Sequence, residues 1–123
     1  MSGAKVDFGL ITKVVDATQG FDPGAVIFAE GDAGDTLYIL KSGEIDLMHG
    51  DRLLRRIGPG EVFGEMALID GSPRSATAVA RSAAEVVPVT ERQFLYLVGE
   101  TPYFALNLLR VLADRLRHET AAA

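Results

Sequence analysis

The chain has 123 residues, 48% of them hydrophobic and 24% charged, a balance typical of one globular domain. Its net charge of −5 argues against a nucleic-acid partner, because proteins that bind DNA or RNA usually present a basic surface. It has no cysteine, which excludes disulfides and thiolate metal sites, and no apolar run approaches the ~20 residues that a membrane span requires. We therefore expect a cytoplasmic protein without a membrane partner.

Turn signals rich in glycine, proline and aspartate recur at short intervals between residues 21 and 90. Alternating acidic and apolar residues in Glu44–Leu47 predict a strand with one face in water. Leu37–Leu40 lacks this alternation, which predicts a strand covered on both faces. The predicted strands are Val26–Ala29, Thr36–Lys41, Glu44–His49, Arg52–Ile57, Ala76–Arg81 and Glu85–Val89. Short strands at this spacing indicate a sandwich, a roll or a barrel.

After the last strand the apolar residues recur with helical spacing. Thr90 is a candidate N-cap for a helix at about 91–99, and Thr101-Pro102 predicts the start of a second helix at about 102–120. The layout is therefore a mainly β domain followed by two C-terminal helices.

The second helix is predicted to be amphipathic. Its apolar stripe consists of Ala105, Leu108, Leu109, Leu112 and Leu116, and the residues largely on its other side are Asp114, Arg115, Arg117 and His118. Such a stripe either covers the strands or pairs with a second copy of the chain, which would give a homodimer.

The segment from Gly60 to Thr77 is unlike an ordinary hairpin. Gly64 permits a close backbone approach or a positive φ, and Ser72-Pro73 predicts a rigid turn ahead of Arg74. The guanidinium of Arg74 suits phosphate oxygens, and the carboxylate of Glu65 can accept sugar hydroxyls. A ligand with one phosphate and a free ribose hydroxyl matches this set.

This segment closely resembles the phosphate-binding cassette of the cyclic-nucleotide-binding domain family, which includes catabolite activator protein and the regulatory subunits of cAMP-dependent kinase. The residues from Gly60 to Leu68 match the cassette throughout, and the five-residue gap to Arg74 is kept. Ala76, Thr77 and Ala80 also match, whereas Ala78 replaces the usual valine. The loop and strand from Gly31 to Gly43 resemble the first hairpin of the family.

The resemblance implies a double-stranded β-helix jelly roll, with an N-terminal segment (1–20) and a cyclic-nucleotide-binding domain (21–123) that includes both C-terminal helices. Glu65 is expected to hold the ribose 2′-hydroxyl and Arg74 the cyclic phosphate. The remaining ligand-binding residues it implies are Phe63, Gly64, Met66, Ala67, Ser75 and Ala76.

The resemblance also implies a regulatory role. The family binds a nucleotide rather than transforming one, so we expect no enzyme activity, no metal and no cofactor, and an output read by a protein effector. The last helix is expected to close over the base, with Arg115, Arg117, His118 and Thr120 as candidate contacts. Ser75 is compatible with cAMP and with cGMP, and we favour cAMP.

Three alternatives stay open. Arg74 and Glu65 could form a surface ion pair without function, or the domain could be an interaction module that has lost its ligand. A cupin-like metalloenzyme on a similar roll is disfavoured, because His49 and His118 are isolated in sequence. We also expect Arg74 and Glu65 to be only partly buried, so that replacing either leaves the fold intact.

Overall fold

A computed structural model describes residues 17–100 and 102–122, with the side chains of 17–100 and 102–115. The described part forms eight strands and three helices: β1 (Gln19–Phe21), β2 (Val26–Phe28), β3 (Thr36–Ser42), β4 (Ile45–His49), β5 (Arg52–Ile57), β6 (Val62–Phe63), α1 (Glu65–Asp70), β7 (Thr77–Ala80), β8 (Ala84–Thr90), α2 (Glu91–Glu100) and α3 (Pro102–Ala122). Residues 1–16 of the predicted N-terminal segment lie outside this part. No helix within it is long and apolar enough to cross a membrane.

The strands form two four-stranded antiparallel sheets. One has the order β1-β8-β3-β6 and the other β2-β7-β4-β5. The mainly β fold with C-terminal helices is therefore confirmed, and so are the six predicted strands within a few residues. The two strands that were not predicted, β1 and β6, have three and two residues.

A first core lies between the two sheets and a second lies between one sheet and the helices. Leu40 of β3 belongs to the first core, with Ile45 and Phe63. Leu37 and Ile39 of the same strand belong to the second core, where they meet Leu97, Phe104 and Leu108 of the helices. The prediction that this strand is covered on both faces is therefore confirmed. Each fully buried side chain of this size stabilises the fold by about 1.5–3 kcal/mol.

The helix α2 begins with a reciprocal cap. The backbone N–H of Gln93 donates to Oγ1 of Thr90 at 3.3 Å, and the backbone N–H of Thr90 donates to Oε1 of Gln93 at 3.0 Å. This arrangement is a capping box, which satisfies two N–H groups that the helix itself leaves free. The predicted N-cap at Thr90 is confirmed.

The buried face of α3 differs from the predicted stripe. Phe104, Leu108, Val111 and Arg115 are buried, whereas Leu109 is 63% exposed. The assignments of Leu109 to the apolar stripe and of Arg115 to the polar side were therefore wrong. The pattern allowed both orientations because apolar residues occupy more than half of the helix circumference here, and Phe104 and Val111 decide which face packs. The side chain of Leu116 lies outside the described part.

Candidate functional site

Arg74 is buried and held on several sides. Its guanidinium donates from Nη1 to the carbonyl of Gly64 and from Nη2 to the carbonyl of Thr36, both at 2.8 Å. Its Cζ lies 4.2 Å from the ring centroid of Phe28, a cation–π contact. Only 6% of the residue is exposed. The expectation that Arg74 is only partly buried was therefore wrong, because the sequence did not reveal these carbonyl and aromatic partners.

The backbone around Arg74 explains its rigid position. Its N–H donates to the carbonyl of Asp32 and its carbonyl accepts from the N–H of Gly31, each at 2.8 Å. This pair of bonds fastens Arg74, in the loop before β7, to the loop between β2 and β3. The Gly31-Asp32 turn thus supports the site from the hairpin upstream of the cassette.

Two glycines make room for the guanidinium. Gly64 has a φ of 75°, and a Cβ placed there would lie 2.7 Å from Nη1 of Arg74. The prediction that Gly64 permits a positive φ and a close approach is confirmed on both counts. A Cβ at Gly34 would lie 2.5 Å from Nε of Arg74. This role of Gly34 was missed, since a glycine in a turn gives no sign of which side chain it faces.

Glu65 opens α1 and is bound to the last helix. Its Oε1 lies 2.8 Å from Nη1 of Arg115, and Nη2 of Arg115 donates to the carbonyl of Val62. The two side chains are 12% and 9% exposed. Burial lowers the pKa of Arg115, the Glu65 carboxylate opposes this shift, and the positive charge of Arg55 adds to it. The alternative of a surface pair between Arg74 and Glu65 is wrong, because each has other partners in the interior.

A cavity of about 470 Å³ brings most of the predicted site together, and its size suits a small ligand. Seven predicted residues line it: Gly64, Glu65, Met66, Ala67, Arg74, Ser75 and Ala76. Phe63, also predicted, does not line the cavity. It is fully buried in the core between the sheets, with its ring centroid 5.4 Å from that of Tyr38 and 6.1 Å from that of Phe28.

Seven further residues line the cavity that were not among the ligand-binding residues predicted for the cassette: Phe28, Leu47, Leu54, Arg55, Pro73, Leu112 and Arg115. Arg115 had been named as a candidate contact of the last helix, and it is the one of the four candidates whose side chain is described. Arg117, His118 and Thr120 lie outside the described side chains. Of the remaining six, Phe28, Leu47, Leu54 and Arg55 are brought in by the pairing of distant strands and Leu112 by the packing of α3, for which a local motif carries no signal. Pro73 adjoins Arg74 within the cassette segment.

The polar groups of the cavity fit an anion that also carries a hydroxyl. Arg55, Arg74 and Arg115 each have a buried Nε without a hydrogen-bond partner among the described residues, and all three line this cavity. Native proteins leave few buried donors unpaired, so three at one place need an explanation. Glu65 is the carboxylate beside them.

Metal binding has no support in the described part of the chain. No group of three or more histidine, cysteine, aspartate or glutamate side chains there is placed to hold an ion. His49 is exposed and lies 2.9 Å from the carboxylate of Glu30, and the side chain of His118 lies outside the described part.

Comparison with known proteins gives one consistent result. Residues 18–101 match the cyclic nucleotide-binding domain family. The chain is 37% identical to the cyclic AMP receptor protein of Thermus thermophilus, over 95% of this chain and 59% of the receptor. It is 46% identical to a cGMP-dependent protein kinase of Toxoplasma gondii, over 77% of this chain and 10% of the kinase. The crystal structure of the Thermus thermophilus catabolite activator protein superposes with a TM-score of 0.80 and 35% identity, covering 93% of this chain and 57% of that one.

The chain thus spans little more than half of the receptor and a tenth of the kinase. The matched residues nevertheless include both sheets, the cassette and α2. The fold, the cavity and the sequence match agree, and the chain belongs to the cyclic nucleotide-binding domain family.

Proposed function

We propose that this chain is a regulatory module, not an enzyme, that binds a purine 3′,5′-cyclic monophosphate and transmits the binding through α3. The observation that carries this proposal is the set of three arginines, Arg55, Arg74 and Arg115, that line one cavity together with the Glu65 carboxylate. The ligand of the family has both features that the set requires, a single phosphate and a free ribose hydroxyl.

Arg74 is the proposed phosphate residue. A guanidinium has five N–H donors, and the carbonyls of Gly64 and Thr36 occupy two of them. These bonds fix the planar group in advance, so that little side-chain entropy is lost when the anion binds. Ser75 and Ala76 follow Arg74 on the cavity wall, where their N–H groups are further candidate donors.

Glu65 is the proposed ribose residue, and its ion pair provides a route from the ligand to α3. One carboxylate oxygen is bound to Arg115, which leaves the other for a sugar hydroxyl. Leu112, one turn before Arg115, also lines the cavity. A ligand that contacts these groups differently in two positions of the helix shifts the equilibrium between those positions. The effector that reads α3 is then another protein or another segment.

The base preference favoured from the sequence was cAMP over cGMP, although Ser75 alone does not decide between the two. Ser75 is exposed on the cavity wall, and a serine hydroxyl can donate to the phosphate or accept from the guanine amino group. It does not favour adenine by itself.

Calorimetric titration of the full chain with cAMP, cGMP, AMP and GMP tests the proposal. A cyclic nucleotide should bind and both linear monophosphates should bind far more weakly, because a second negative charge on the phosphate and a free 3′-hydroxyl do not fit the same contacts. At a hundredfold excess over Kd, binding adds about 2.7 kcal/mol of stability, which raises Tm by roughly 10 °C or more. If no nucleotide binds, the domain is an interaction module without a ligand.

A further inference from the structure

Arg74 carries a buried positive charge without a carboxylate partner. None of the ion pairs in the described part of the chain includes it, although only 6% of the residue is exposed. Burying a charge is costly unless other groups stabilise it. The groups that surround this guanidinium are two backbone carbonyls and a cluster of aromatic rings, so these have to supply the stabilisation.

Two stacked rings from neighbouring parts of the roll face this cation. Cζ of Arg74 lies 4.2 Å from the ring centroid of Phe28 in β2 and 5.7 Å from that of Tyr38 in β3. The two rings stack on each other with centroids 6.0 Å apart. The negative face of an aromatic ring attracts a cation within about 6 Å, and more strongly where water is excluded. Phe28 is the nearer ring, and it also lines the cavity.

Small residues on two sides leave room for the ring of Phe28. A Cβ at Gly64 would lie 3.3 Å from Cε2 of Phe28 and 2.7 Å from Nη1 of Arg74. Ala78 of β7 pairs with Phe28 across the sheet, and both are buried in the core between the sheets. Side chains of such a pair lie on the same face, so the alanine that replaces the usual valine of the cassette leaves space beside the ring. The ring is therefore fixed by its neighbours, and the guanidinium lies against it.

We propose, on the basis of the function proposed above, that Phe28 is a positioning residue for the phosphate. The face of its ring holds the guanidinium of Arg74 in the orientation that meets the ligand. If this attraction is weakened, the guanidinium of the empty site can turn toward water, whereas a bound phosphate keeps it against the ring. The loss therefore falls mainly on the bound state, and the affinity for nucleotide decreases.

Stepwise fluorination of Phe28 in the full chain tests this role. Fluorine withdraws electron density from the face of the ring and changes its size little, so that mono-, di- and trifluorophenylalanine weaken the cation–π contact in order. Calorimetric titration with cAMP and cGMP should show the affinity falling at each step, by roughly 2- to 30-fold over the series. Phe28→Leu, which keeps an apolar side chain without a ring face, should lose at least as much. A ring that only fills space would give no dependence on the number of fluorines.

Fluorination of Phe63 is the matched control. Phe63 belongs to the same core, with its ring centroid 6.1 Å from that of Phe28, and it does not line the cavity. The same series at this position should leave both affinities unchanged. An absent trend at Phe28, or an equal trend at Phe63, would overturn the role of Phe28 while leaving cyclic-nucleotide binding intact. Failure of the unaltered chain to bind either nucleotide would instead overturn the proposed function.

Discussion

Arg74 has a structural role in addition to its proposed role in binding. Its guanidinium satisfies two buried carbonyls and packs on Phe28, so the residue holds together β3, α1 and the loop before β7. Replacing it removes these bonds as well as the phosphate contact.

We predict that Arg74→Ala abolishes most nucleotide binding and also destabilises the fold. Losing a charge-assisted hydrogen bond to the ligand costs about 1.5–3 kcal/mol, a roughly 10- to 150-fold loss of affinity. Leaving buried carbonyls unpaired costs at least about 1–3 kcal/mol of folding free energy. Calorimetry and thermal unfolding measure the two effects. Arg81→Ala, at an exposed residue 3.7 Å from Glu44, is the control and should change neither. Unchanged affinity in Arg74→Ala would refute the assignment of the phosphate residue.

We predict that Gly34→Ala weakens binding by displacing Arg74. The added Cβ would lie 2.5 Å from Nε, and the guanidinium cannot retreat without losing its carbonyl partners. The φ of Gly34 is not in the left-handed region, so the effect is steric and acts through the arginine. Gly20→Ala, with nothing within 4 Å, is the control. Because both changes act on one group, adding Gly34→Ala to Arg74→Ala should cause little further loss. Additive losses would contradict this mechanism.

We predict that Ser75→Ala affects cGMP more than cAMP, because its hydroxyl is the side-chain group of the cassette that can meet the guanine amino group. Inosine 3′,5′-cyclic monophosphate, which differs from cGMP only by lacking that amino group, should bind Ser75→Ala and the unaltered chain about equally. Calorimetric titration with the three nucleotides measures this contact. Equal losses for all three ligands would mean that Ser75 serves the phosphate.

For individual residues, the sequence predicted which side chains of the cassette line the cavity better than it predicted what surrounds them. The cassette spacing identified seven residues that line the cavity, because one short, nearly continuous segment supplies them. Arg55 and Phe28 could not be found in this way, since they reach the site through the pairing of separate strands. Phe63 lies in the core between the sheets and not on the cavity wall, because neighbouring residues in a strand face opposite sides and a motif does not record the face.

At the scale of elements, α3 is connected to the cavity by two side chains. Arg115 ties it to Glu65 and to the carbonyl of Val62, while Leu112 adds an apolar contact. The strands could be predicted because turn residues and the alternation of polar and apolar residues are visible within a short stretch of sequence. The orientation of α3 could not be predicted, because it depends on which of its apolar residues pack against the roll.

We predict that deleting residues 113–123 weakens nucleotide binding mainly by accelerating release. The deletion removes Arg115, and with it the bond that joins the helix to the proposed ribose site. Arg115→Ala should reproduce most of the effect, whereas Arg110→Ala, at an exposed position of the same helix, should not. Stopped-flow displacement measures the release rate. Hydrogen exchange along α3 should also slow when ligand is added. An unchanged release rate and ligand-independent exchange would mean that α3 only packs on the roll.

At the scale of the whole molecule, α3 has two apolar faces rather than one. Phe104, Leu108 and Val111 pack on the roll, while Tyr103, Leu106 and Leu109 are 74%, 40% and 63% exposed. The exposed three are spaced three residues apart and therefore lie on one side of the helix. One apolar face of α3 therefore covers the roll, and the exposed face is available for pairing with a second copy.

We predict that two copies associate through this exposed face, because apolar side chains clustered on one helix face usually mark an interaction surface. Sedimentation velocity over a range of concentrations should detect a dimer. The double variant Leu106→Glu, Leu109→Glu should shift it to monomer, because two carboxylates from each copy would be desolvated at the contact. Leu53→Glu, at a 44% exposed leucine of β5, is the control and should leave the dimer intact. A concentration-independent monomer would exclude this contact and leave α3 to signal to a different partner. If the dimer forms, Arg115 links the cavity to the helix that makes the dimer interface. Ligand binding should then change the dimer dissociation constant, and dimer formation should change the affinity for ligand by the same factor.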